Sequence, residues 1–171
     1  MLLLRAADSV PSMETFAELL DRLSFEPSRN NKLRLITEYF RTTPDPERGW
    51  ALAALTGVLS FRYAKPSLLG ALIAERTDPV LFQWSLDYVG DLSETIALMW
   101  PTAETSEAQR PALSEVIAAL ASLGKADLPA QLANWLDVID ETGRWTLLKL
   151  VTGELRVGVS ARLAKTAAAA L

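Results

Sequence analysis

Apolar positions recur along this chain at intervals of three and four residues, the spacing that lines one face of an α-helix. Phe16, Leu19, Leu20 and Leu23 make one such stripe. After a break at Pro27-Ser28, Leu33, Ile36 and Phe40 make a second, which Pro44 closes. Asp45-Pro46 then reads as an N-cap followed by proline at the first helical position, opening a helix through Trp50, Ala54 and Val58. The same signature returns at Asp78-Pro79, ahead of Leu81, Trp84 and Tyr88, with Gly90 as the stop. Between the two, Lys65-Pro66-Ser67 opens a helix carrying Leu68, Leu69, Leu72 and Ile73.

Downstream, Asp91 can cap a helix through Ile96 and Met99 that ends at Trp100-Pro101, and the polar run Thr102 to Gln109 is the most linker-like stretch. Leu113, Val116, Ile117 and Leu120 build a further helix ended by Gly124. Leu128 to Ile139 makes another, with Asp127 as its cap. Two amphipathic helices close the pattern: one from about Arg144 to Thr152, the other from about Ser160 through Leu163 and Ala167. β-Branched residues are scattered and never alternate over a strand's length. The expected fold is therefore all-α, with roughly ten short helices in one compact domain over residues 13–171. Residues 1–12 read as an unstructured tail, with Met13 as an alternative start. Ala167 to Leu171 runs on in helical pattern without a stop signal, so the C-terminus reads as truncated.

At 171 residues, one hydrophobic core suffices without covalent staples. The absence of both cysteine and histidine removes thiolate nucleophiles, Ser-His-Asp triads and zinc fingers from consideration. No apolar run approaches the roughly 18 residues of a membrane helix. No membrane partner is expected.

Charge is unevenly placed. The net charge is −4, yet Arg29 to Lys65 holds seven basic residues against three acidic ones, and Gly143 to Leu171 holds five against one. Local distribution sets the field near a surface, so these two segments would make a basic patch if they met in space. Between the last two helices, Thr152-Gly153-Glu154-Leu155-Arg156-Val157-Gly158-Val159-Ser160 sets an arginine between glycines. An arginine in such a turn can hold a phosphate while N–H groups at the next helix start, capped by Ser160, add donors. The same spacing also serves an ordinary C-cap and tight turn.

At these residues a resemblance enters. Phe16-Ala17-Glu18-Leu19-Leu20-Asp21-Arg22-Leu23, the loop Glu26-Pro27-Ser28-Arg29-Asn30-Asn31-Lys32-Leu33, and above all Leu148 to Ser160 resemble the N-terminal DNA-binding domain of ATP-dependent DNA ligases. The match runs from about Met13 to the end. Ala64-Lys65-Pro66 and Arg76 to Phe82 are similar to the bacterial cisplatin-damage-response, or ligase-associated, subgroup. The resemblance implies an all-helical, non-catalytic domain that grips nicked double-stranded DNA through phosphates and the minor groove. Adenylation and oligonucleotide-binding domains would complete the clamp for nick sealing in repair, recombination or replication. It further implies a cytoplasmic, nucleoid-associated location. Carried onto this chain, the family's glycine-arginine turn falls on Gly153, Leu155, Arg156 and Gly158, with Ser160 as a further phosphate contact. Arg144 matches a basic position, Ser28, Arg29 and Lys32 form a second contact candidate, and Lys65 is another.

Ligases carry AMP on the lysine of a Lys-x-Asp-Gly motif. That motif is missing, since Lys125-Ala126-Asp127-Leu128 lacks the glycine. No catalysis is expected from this chain, and ATP and magnesium would belong to the adenylation domain. Asp137, Asp140 and Glu141, like Glu104 and Glu107, read as solvated positions rather than metal ligands. The five tryptophans read as core rather than base-stacking platforms. The alternative function is a helical adaptor that binds a protein through an exposed apolar groove, without DNA.

Overall fold

Phe16, Leu20, Leu23, Ile36 and Phe40, on the two stripes nearest the N-terminus, are completely or almost completely buried against one another and the helices that follow. At roughly 1.5–3 kcal/mol for each fully buried side chain, that face alone strongly favours collapse before entropy is subtracted. In a computed structural model of the chain, which describes residues 11–102 and 109–171, these stripes belong to α1 (Met13–Phe25) and α2 (Arg29–Thr42). They are followed by α3 (Glu47–Leu55), α4 (Pro66–Ala74), α5 (Pro79–Val89), α6 (Leu92–Met99), α7 (Leu113–Ser122), α8 (Leu128–Val138), α9 (Glu141–Thr152) and α10 (Ala161–Ala169). The described residues contain no strand, only an isolated bridge between Ser12 and Ala112. The fold is all-α. No helix among them is long and apolar enough to cross a membrane.

The centre of the packing is α9. Its Leu147, Leu148, Leu150 and Val151 are buried, and it lies against both α1 and α6. Around it, α2 packs on α10, α3 on α7, and α4 on α8. Ser12, assigned to the tail from sequence, is instead the N-cap position of α1, and Met13 N donates to Pro111 O at 2.8 Å. Residues 1–10 of that tail and most of the linker-like run, residues 103–108, lie outside the described residues.

Several helix ends follow the sequence and others depart from it. Asp78 accepts from the N–H groups of Val80 and Leu81, Asp91 from Glu94, and Gly90 closes α5 in the left-handed conformation. Asp45 does not cap α3. Its carboxylate is taken by the Arg48 guanidinium at 2.7 Å, the Asp45-Pro46 bond is cis, and Pro46 occupies the N-cap position. That helix also stops at Leu55, short of Val58, where the Thr56 hydroxyl bonds back to Leu52 O and Ala53 O. Asp127 sits at the N-cap position of α8 with helical backbone angles, a geometry in which its side chain makes no cap bond.

The tryptophans divide. Trp100 and Trp135 are core, and the Trp100 indole donates to Asp137 at 2.8 Å beneath the Arg76 guanidinium. Trp84 is 67% exposed and Trp50 is at the surface, which corrects the uniform core reading. The stripe Leu81, Trp84, Tyr88 has helical period but faces outward, because the body of the protein meets α5 from its other side, at half-buried Phe82 and α6.

Candidate nucleic-acid interface

The two basic segments meet. Lys32 Nζ, in the first turns of α2, donates to Val157 O at 2.7 Å and to Gly158 O at 3.3 Å, pinning the turn between α9 and α10. At the far end of the same pair, Arg41 donates to Ala170 O at 3.2 Å. Helices α2 and α10 therefore run side by side. Their buried faces, Leu35, Ile36, Tyr39 and Phe40 on one and Leu163, Ala164 and Ala167 on the other, leave the charged positions outward.

Two glycines shape the connecting turn. Gly153 ends α9 with φ +73° and Gly158 has φ +66°, both left-handed. A side chain at Gly158 would meet the Lys32 ammonium, whereas the space beside Gly153 is open. Between them Arg156 is exposed, and Val157 is buried as the anchor. Ser160 caps α10 as its spacing predicts, accepting from Leu163 N at 3.1 Å. The neighbouring N–H groups at the start of α10 lie at an exposed helix N-terminus.

The individual site residues fare differently. Arg29 is exposed at the start of α2, as is Arg156 in the turn, and among the described residues neither has a carboxylate within salt-bridge distance. Ser28 caps α2 by accepting from Asn31 N at 3.4 Å, while its own N–H donates to the Glu26 carboxylate at 2.8 Å. That loop is held by internal bonds. Lys32 spends its ammonium on main-chain carbonyls and so positions the turn. Lys65 is exposed at the N-cap position of α4, and no hydrogen bond ties it to the turn among the described residues.

Arg144 is corrected outright as a surface contact. It is 8% exposed, its Nε donates to Leu136 O at 2.7 Å, and Nη1 reaches Trp100 O at 3.5 Å. Its guanidinium braces the ends of α6 and α8 against α9. Burial pulls its pKa down, and the carboxylates of Asp137, Asp140 and Glu141 oppose that pull. Lys149 is likewise internal, paired with Asp91 and, at 3.9 Å, with Glu154.

What replaces them was present in the charge balance but not singled out by any motif. Arg34 and Arg41 line a shallow groove along α2 with Thr37 and Glu38, and Arg162 and Lys165 are exposed on α10. Helical spacing shows the faces only once the partner helix is known. Counting α2 together with residues 153–171, seven cations stand against two carboxylates. No group of carboxylates that could hold a metal ion occurs among the described residues.

Compared with known proteins, the chain matches no family model and no curated protein.

Proposed function

We propose that this chain is a non-catalytic, sequence-independent duplex DNA-binding domain that serves an ATP-dependent DNA ligase. The observation that carries the reading is the Lys32 bridge to Val157 and Gly158, which joins two basic stretches lying more than a hundred residues apart in sequence. An exposed arginine on a glycine turn, next to a capped helix start, presents guanidinium and backbone donors suited to a phosphate. Arg29, Arg34, Arg162 and Lys165 extend that positive surface along two adjoining helices. Contacts of this kind position a duplex without reading its bases. The ligase assignment rests on the sequence resemblance alone, and the adenylation and oligonucleotide-binding domains, with their ATP and magnesium, would lie elsewhere.

The test is a fluorescence-anisotropy titration of the purified chain with nicked and intact duplexes at about 50 mM and about 200 mM salt. Binding should weaken steeply with salt and fall in folded Arg156→Ala, while random-sequence duplexes bind alike. Affinity should be modest, because one module lacks the effective-concentration gain of a complete clamp. No salt-sensitive binding at the lower salt would reject the reading. Preferential binding to nicked DNA would favour the ligase assignment specifically.

A further inference from the structure

A second surface has the opposite chemistry. Where the C-terminal end of α1, the outer face of α6 and the start of α9 converge, a depression of about 440 Å³ is bordered by Phe25, Leu98 and Trp145. Three carboxylates, Asp21, Glu94 and Glu141, share that border, and among its lining residues there is no lysine or arginine. Leu98 also borders a second depression, of about 350 Å³, formed by Trp84, Tyr88, Val89 and Met99 between α5 and α6. The two hollows thus form one surface with Leu98 at the junction.

The side chains along it are unusually bare. Phe25 is 81% exposed, Tyr88 is 93% exposed and Leu98 is 52% exposed, with Trp84 beside them. No residue of α5 is buried. Isolated apolar side chains are ordinary at a surface, but a contiguous set containing tryptophan, tyrosine and phenylalanine marks a contact region. The aromatic rings supply large contact area at little entropic cost. The charge around them chooses the occupant. Besides the three carboxylates in the first hollow, Asp87 is exposed on α5, one turn from Trp84. An acidic rim repels a phosphate backbone and an acidic peptide, and favours cations that flank an apolar face.

We propose that this surface is a docking groove for a protein partner that presents an amphipathic helix with leucine-like residues at i, i+3/i+4 and i+7 and lysine or arginine on its flanks. Its apolar residues would fill the hollows on either side of Leu98, and its cations would face Asp21, Glu94 and Glu141. The groove is separate from the α2 and α10 surface and does not depend on DNA binding.

The experiment uses the full chain and three synthetic 18-residue peptides. The first is a leucine-faced helix with lysines on its polar side; the second carries glutamate in place of lysine; the third has the composition of the first in an order that abolishes the apolar face. Binding is followed by tryptophan fluorescence, which Trp84 and Trp145 should report, and by calorimetry. The lysine peptide should bind, and the other two at least tenfold more weakly. Leu98→Asp and the double variant Asp21→Lys/Glu94→Lys, each checked by circular dichroism, should weaken binding at least tenfold. Equal binding of the scrambled peptide would reduce the effect to bulk charge and overturn the proposal, as would no binding at all. Concentration-dependent self-association abolished by Leu98→Asp would also overturn it, by making a second copy the occupant.

Discussion

Arg144 and Arg156 belong to one basic stretch of sequence yet meet opposite environments, and the difference can be measured at single residues. Truncating Arg144 leaves Leu136 O and Trp100 O without their donor and empties a packed site. Arg144→Ala should therefore cost about 2–4 kcal/mol in urea unfolding. Exposed Arg156 has no such partners among the described residues, so Arg156→Ala should stay within about 0.5 kcal/mol of the parent. A reversed ranking would overturn the division into brace and contact. The two turn glycines separate in the same way. Alanine at Gly153 meets open space and should cost only the left-handed backbone, about 1–2 kcal/mol. Alanine at Gly158 incurs the same cost and also displaces the flexible Lys32 ammonium, which loses its two carbonyl bonds. Gly158→Ala should therefore be the more destabilising by up to about 1 kcal/mol in the same unfolding experiment. Both glycines were visible in the sequence as turn formers. The lysine that makes one of them special was not, because it arrives from α2.

Helix ends show where local chemistry suffices and where tertiary chemistry takes over. Asp78, Asp91 and Ser160 cap because the N–H groups they accept lie two or three residues ahead, a relation written in the sequence. Asp45 has the same local signature and fails, since Arg48 competes for its carboxylate. At α7 the N-cap position is Ala112, which has no acceptor, and the cap comes from another helix: buried Glu47 of α3 accepts from Ser114 N at 3.0 Å. Glu47→Ala should therefore cost about 1–2 kcal/mol, the loss of a cap, although it removes a carboxylate with no cation beside it among the described residues. A neutral or stabilising result in thermal unfolding would remove that role. Asp91 adds a charge effect to its capping. Burial alone would raise its pKa, but the Lys149 ammonium and the N–H groups of Glu94 and Ser93 hold it below its ordinary value. A carboxyl depressed in the fold contributes stability that is complete above its unfolded value, about 3.9, and lost as pH falls through the folded one. Asp91→Asn keeps the cap acceptor but strips Lys149 of its nearer carboxylate, leaving Glu154 at 3.9 Å. The variant should be about 1–2 kcal/mol less stable at neutral pH, a deficit that shrinks in chemical denaturation below about pH 4. A deficit that does not change with pH would assign the effect to packing instead.

For the whole molecule, the number and period of the helices could be read from the chain, while the faces they show to solvent could not. The stripes of α1 and α2 are core as their spacing indicates, yet the equally regular Leu81, Trp84, Tyr88 of α5 faces outward, because period fixes a face without saying what lies against it. The candidate interface divides similarly: its turn and its charge imbalance were legible, whereas the exclusion of Arg144 and the alignment of α2 with α10 depend on packing. That alignment sets a quantitative expectation for DNA. Arg29, Arg34, Arg156, Arg162 and Lys165 are the exposed cations of the α2 and α10 surface not engaged in any described hydrogen bond or ion pair. Each phosphate neutralised contributes about −0.9 to the slope of log affinity against log salt, so a duplex held here should show a slope of about −3 to −4.5. Removing one contact should make the slope shallower by about 0.9, and Arg156→Ala and Arg162→Ala should act alike and additively if both touch phosphate. The net charge of −4 does not cancel this behaviour, since at ordinary salt the screening length of about 8–10 Å leaves the local field in control. A steep slope unaffected by either variant would move the DNA to another basic region, with Arg62 and Lys65 the next exposed cations to replace. A flat slope would leave the positive face as solvated helix surface.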